Sequence, residues 1–429
     1  MTSTRHRHLA LGIALALPAA VLAGCATGEA SPAATSDASA HEHDEHDEHD
    51  EHEEGGHGTE AATDTPRIAL TYDGGVVVLD GTSLEQVADL PVDGFTRINP
   101  AGDERHVIVS AGDAFRVLDL GTWGEPHGNH SHFYTSEPAF TTTEFAANHP
   151  GHVVRHAGRT VLFNDGSGLV ESFDPHDLAD GDPETTTYTT PSPHHGVAVE
   201  LESGDLLVTD GTEDSRSSVV VLDSGRHEVA RTDTCPGVHG EAVASDEAVV
   251  VGCEDGVVVY AGGELTKIAS PDAYGRIGNQ AGSDESPVVL GDYKSDPDAE
   301  LERPTRVSLV DTVSRQITLV DTGASYTFRS LGRGPHGEAL VLGTDGALRV
   351  IDPASGAVTS TIAVIDAWTE PDDWQAPRPT LFVLDHTAYV TDPATKAVHA
   401  VDVESGKVYA STTLDVVPNE LTGVSGLPE

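Results

Sequence analysis

From Pro66 to the end of the chain the apolar positions show no sustained 3.6-residue period. Short runs of Val, Leu, Ile and Thr recur instead, at Val76–Asp80, Val107–Ser110, Val197–Leu201, Leu206–Asp210, Val219–Asp223, Ala248–Cys253 and Val257–Tyr260, separated by Asp-Gly or Ser-Gly turns. Runs of that length between turn residues predict strands. A glycine preceded by His or Pro marks each repeat: Gly151, Gly196, Gly240 and Gly337, at intervals of 45, 44 and 97 residues. The last interval is two units, with the missing marker falling in Arg276–Gln280. A period in the mid-forties is that of a four-stranded propeller blade.

One unit parses as an inner strand at Gly196–Glu202, followed by strands at Asp205–Asp210, Ser218–Asp223 and His227–Thr232. Aligning the others starts inner strands near Phe95, His152, His195, His239, Asn279, His336 and Pro379. The stretch Arg67–Thr71, Val76–Asp80 and Glu85–Leu90 lacks an inner strand, and the segment after Pro418 is left over to supply it. The fold class predicted is therefore all-β: a β-propeller over residues 65–429 with eight four-stranded blades, closed by N- and C-terminal strands, or alternatively with seven blades. The Asp-Gly pairs at 165, 210, 255 and 345 suit hairpin turns, and the spaced carboxylates of a calcium loop are absent.

Histidines then change the picture. His149, His152, His194, His195, His239 and His336 stand at or just before inner strands, so this parse brings six imidazoles to one mouth of the channel. That density predicts a metal or anion site, with Glu241 and Glu338 as carboxylate ligands or acceptors holding the imidazoles. A second set, His127, His130 and His132, falls on what reads as a long loop of the second blade, and His-x-x-His-x-His can chelate from one loop. His156, His176, His386 and His399 are scattered and read as structural.

The amino-terminal part has a different composition. Arg5 and Arg7 precede an apolar run, Leu9–Leu22, and then Leu22-Ala23-Gly24-Cys25. This predicts a signal peptide over 1–24, too short in its apolar run to be a comfortable bilayer span. The last four residues resemble a lipobox, which implies lipid attachment to Cys25 and a membrane association by lipid anchor only. Residues 25–64 read as a disordered tether. Within it, 41–57 alternates His41, His43, His46, His49, His52 and His57 with Asp and Glu and has no apolar side chain. Such a stretch does not fold alone, but it can wrap imidazoles and carboxylates around Zn2+, or around copper or nickel. A solvated linker or a purification tag is the plainer reading of it.

The formal net charge of −48, from 71 acidic residues against 23 Lys and Arg, disfavours nucleic acid as a partner and favours cations. Of three cysteines, Cys25 is accounted for by the signal. In an oxidising compartment Cys235 and Cys253 are expected to form a disulfide, with a Cys-His metal site beside His239 as the alternative.

Asn148-His-Pro-Gly-His152, Phe163-Asn-Asp-Gly-Ser-Gly168, Pro193-His-His-Gly196 and Cys235-Pro-Gly-Val-His-Gly-Glu241, with the exported signal and the acidic polyhistidine run, resemble the AztD family of extracytoplasmic zinc metallochaperones. The resemblance runs from about Pro66 to the end. It implies a zinc-binding protein, not an enzyme, that delivers the ion to the solute-binding protein of an ABC-type zinc importer. It also implies a location outside the cytoplasm, lipid-anchored to the outer face of the bacterial cell membrane or periplasmic. Two rival readings from other classes are a propeller enzyme of lactonase or hydrolase type, and a surface scaffold or adhesion lipoprotein with incidental metal binding. No acid pair or nucleophile with its base accompanies the histidines.

Overall fold

The run Ala248–Cys253 is buried at every position, which a strand with one face in water would not allow. Its alternate side chains go to opposite neighbours: Val249 and Val251 pack with Val199, Leu207, Val219 and Val221, whereas Val250 packs with Val289 and Val310. Period-two alternation therefore sends each face of the sheet into a different apolar layer. The same arrangement explains why Val76–Leu79 and Ala339–Leu342, buried at every position too, read as unbroken apolar runs instead of alternating with polar residues.

The computed structural model describes residues 58–428, which lie within one compact unit, Gly56–Glu429. Among the described residues, eight sheets follow the same antiparallel four-strand order, one of them extended by Gly275–Arg276. Their first strands are Leu421–Val424, Thr96–Pro100, Pro150–His156, Ala198–Glu200, His239–Ala244, Gln280–Ala281, Leu331–Arg333 and Leu381–Leu384. An apolar layer joins each sheet to the next, and one built from Tyr389, Val398 and Ala400 against Ile68, Leu70, Val77 and Leu79 joins the last sheet to the first. The architecture is all-β and propeller-like.

The closing sheet takes its strands from both parts of the chain. Leu421–Val424 pairs with Arg67–Tyr72, Val424 opposite Arg67 and Leu421 opposite Leu70, as the leftover segment after Pro418 led us to expect. Glu420 reinforces the junction by accepting from Arg97 at 3.1 Å and from Arg329 at 3.0 Å.

Two features differ from the sequence reading. The first strand expected near His336 is Leu331–Arg333, and His336 lies on the turn after it. His127, His130 and His132 are not on an open loop. Thr122–His127 and His130–Thr135 form a hairpin around Gly128-Asn129, inserted between the third and outer strands of their sheet and paired with Thr59–Ala61. A glycine with positive φ at the first turn position is what a two-residue hairpin uses.

Candidate metal centre

His152, His195 and His239 come from three successive sheets and meet at the end where the first strands begin. Two of them stand at breaks in strand pairing, between Pro150 and Val153 and between His239 and Glu241. A bulge puts two residues against one and re-aims a side chain that regular pairing would hold along the sheet. Gly240 makes the second break possible: its φ is +69°, and a Cβ there would lie 2.3 Å from Gln280 Oε1 and 2.5 Å from the Gly278 carbonyl oxygen. His195 sits in the segment entering Ala198–Glu200.

The three rings approach one another with centroids 5.0 Å (152 to 195), 5.0 Å (195 to 239) and 5.8 Å (152 to 239) apart. Two of the outward nitrogens are committed. His195 Nδ1 lies 2.5 Å from Asp165 Oδ2, and His239 Nδ1 lies 2.6 Å from the Gly278 carbonyl oxygen. Because a carbonyl only accepts, His239 must carry its proton on Nδ1, and Asp165 selects the same tautomer for His195. Glu241 Oε2 stands 3.3 Å from His152 Nδ1, an ion-pair distance without the alignment of a hydrogen bond. Imidazoles oriented from behind by carboxylate or carbonyl acceptors are the usual support of a metal site.

The Nε2 atoms of His195 and His239 then present their lone pairs inward, and one ligand nitrogen of each of the three rings lies within 4.8 Å of the others. His195 Nε2 and His239 Nε2 are 3.2 Å apart, close to the ~3.3 Å edge of a tetrahedron with ligands about 2.0–2.1 Å from zinc. Two neutral imidazoles protonated on Nδ1 would face each other lone pair to lone pair there, an arrangement that a metal ion between them would relieve. Burial, and after it the proximity of His152 and His195, holds the His239 pKa well below that of a free imidazole, which keeps that nitrogen available as a ligand. Beside the three rings opens a cavity of about 470 Å³ that also includes Lys294, Asp292, Phe328 and Trp374, which leaves room for a fourth ligand to an ion held by the three rings.

The six expected rim histidines thus separate. His149 is exposed, in a left-handed conformation, and is not in the cluster. His194 is buried and spent on local bonds, Nδ1 to Ser192 O at 3.0 Å and Nε2 with Thr209 Oγ1 at 3.1 Å. His336 is at the opposite end of the sheets, because it follows its first strand instead of leading into it. Glu338 accepts from the His336 backbone N–H and does not approach the three rings.

On the hairpin, His127 Nδ1 and His132 Nε2 are 3.2 Å apart and the other His132 nitrogen lies 2.9 Å from Glu60. His130 completes a set with ligand atoms within 4.8 Å of one another. Cys235 and Cys253 are joined in a disulfide, so neither is a thiolate beside His239. Cys253 stands opposite Gly256, and its neighbour Gly252 opposite His239. His41, His43, His46, His49, His52, His57 and Cys25 lie outside the described residues.

Sequence reasoning missed Asp165, whose Asn-Asp-Gly context reads only as a turn. It also missed His386 and Glu404, which lie beside His336; no local spacing links those three.

No protein-family model matches the chain. The resemblance expected from the motifs is shown by the comparison with curated proteins. The chain is similar to the zinc chaperone AztD of Citrobacter koseri, with 24% identity over 363 residues that cover 82% of this chain and 84% of that protein. Two solved structures have the same fold. The crystal structure of Citrobacter koseri AztD aligns with a TM-score of 0.74 at 22% identity, covering 84% of this chain and 98% of that one. The apo form aligns with a TM-score of 0.72 at 22% identity, covering 85% and 99%.

Proposed function

Starting from a chain that resembles a zinc chaperone over four-fifths of its length, we propose that this protein retains zinc at His152, His195 and His239 and hands it to the solute-binding protein of an ABC-type zinc importer. The observation that carries the proposal is the pair of imidazole Nε2 atoms 3.2 Å apart, each ring fixed from behind by an acceptor. In this reading the eight four-stranded sheets are eight propeller blades over residues 65–429, with Thr59–Ala61 as an outlying strand. The hairpin histidines are a second, more exposed donor set.

The amino-terminal signals support a protein exported past residue 24, lipidated at Cys25 and working on the outer face of the cell membrane or in the periplasm. The acidic histidine segment at 41–57 then serves delivery. Zinc released into solution is lost to competitors, so transfer is better served by acceptor ligands replacing donor ligands one at a time. Ligands on a chain without a packed core leave singly, whereas those at the blade ends are held by the sheets around them.

The test is paired. Replacing His195 and His239 by Ala in the full-length protein should abolish retention of one zinc against a chelator in equilibrium dialysis; retention equal to the parent's would overturn the site. Replacing His41, His43, His46, His49 and His52 by Ser should leave that retention intact and slow stopped-flow transfer to the purified acceptor. A transfer rate independent of acceptor concentration would replace direct handover with release into solvent.

A further inference from the structure

At the end of the sheets opposite the His152 centre, three turns bring His336, His386 and Glu404 together, with ligand atoms within 4.8 Å of one another. His336 follows the first strand Leu331–Arg333, His386 follows the first strand Leu381–Leu384, and Glu404 lies between the third and outer strands of the latter sheet. We propose that these three side chains form a separate site for zinc or a similar borderline divalent cation.

Geometry is the first argument. His336 Nε2 is 3.0 Å and His386 Nδ1 is 3.3 Å from the same oxygen, Glu404 Oε1. Ligand atoms around a tetrahedral zinc stand ~3.3 Å apart, so the ion fits between them with little movement. Nitrogen and carboxylate donors in that proportion suit a borderline ion and not calcium or magnesium, which take oxygen shells.

Preorganisation is the second. The His336 turn is closed by Gly334 N–H donating to Glu338 O at 2.9 Å, and the His336 N–H donates to Glu338 Oε2 at 3.0 Å. The Val403 N–H donates to His386 O at 3.0 Å, which ties the Glu404 turn to the His386 turn, and the Ser405 N–H donates to Asp402 Oδ1 at 2.7 Å. The backbones beneath all three donors are therefore set before an ion arrives, and binding costs less ordering. The side chains are 64%, 56% and 56% exposed, so the remaining coordination positions face water. An ion here exchanges more readily than one at the partly buried triad, which makes the site suited to loading.

This proposal does not depend on the function of the His152 centre, and its test separates the two. The full-length protein with the six tail histidines changed to Ser is dialysed against Zn2+ alone, beside versions that add His336→Asn with His386→Asn, or His195→Ala with His239→Ala. Each pair should remove a different single equivalent, the first the weaker and the second the tighter. Thermal unfolding should stay unchanged for the first pair, because both side chains are exposed. In the protein with native His336 and His386, Co2+ should broaden their imidazole resonances once the tighter sites are filled. Unchanged stoichiometry in the His336/His386 variant, or sharp resonances at excess Co2+, overturns the proposal.

Discussion

Replacing Asp165 by Ala should weaken zinc binding while sparing the fold. The carboxylate holds His195 by a 2.5 Å contact to Nδ1; without it the ring loses both its orientation and the preference for a lone pair on Nε2. Removing an acceptor of this kind typically costs about 10- to 100-fold in metal affinity, or about 1.4–2.7 kcal/mol. Stability should move the other way or not at all. Asp165 Oδ1 is buried with no hydrogen-bond partner, a condition that costs roughly 1–3 kcal/mol, and the substitution removes it. Asp165→Asn, which can still present an oxygen to Nδ1, should fall between the parent and Ala. Gly151 offers an independent handle, since a Cβ there would lie 2.1 Å from Asp165 Oδ1 and push the carboxylate aside. The assay is competition against a chelator of matched affinity at fixed pH, on protein lacking the tail histidines, with urea unfolding alongside. Parent-like affinity in Asp165→Ala would refute the assignment of His195 as an oriented ligand. Equal losses of affinity and stability would mean that Asp165 acts through the fold alone.

Two further outcomes follow from particular contacts. Because the folded pKa of His239 lies below its unfolded value, this group favours the folded state above about pH 6.5, and that contribution declines as pH falls toward the folded value; urea midpoints of the metal-free protein should drop between pH 7.5 and 5.5, and less so in His239→Gln. Glu420→Ala leaves the buried Arg329 guanidinium, already pushed down to about 10 by burial, without its carboxylate, and should cost about 3–5 kcal/mol in denaturant unfolding; a loss under 1 kcal/mol would show that Asn419, the other side chain accepting from Arg329, suffices.

The repeat was legible because turn residues and doubly covered strands leave strong local marks: Ala248–Cys253 and its counterparts can only be interior. First strands were harder. Gln280–Ala281 is two residues long and Ala198–Glu200 three, too short for periodicity to register. The Pro-His-Gly sequence misled at His336 because the same residues serve an entry segment at His195 and a reverse turn at Gly337, whose φ is +83°. Which rim histidines meet was set by pairing breaks at Pro150/Val153 and His239/Glu241, which depend on the neighbouring strand and leave no composition signal. The hairpin does carry a signal, Gly128-Asn129 between two histidine-bearing runs, but the polar composition around it masks the strands.

Strands covered on both faces have a consequence for the chain before its sheets have assembled. Ala-Val-Val-Val-Gly-Cys at 248–253 and Val-Val-Val-Tyr at 257–260 combine β-propensity with apolar character and carry no charge within either run, the makeup of segments that stack into aggregates when exposed. Each is harmless only once the sheets on either side are in place. The excess of carboxylates, spread through the turns between these runs, gives every partly assembled chain the same sign of charge and makes its encounters with other copies repulsive. Cations that screen or bind those carboxylates weaken that protection, so on the proposed function the ion held by the finished fold is a hazard to the chain while it is still folding.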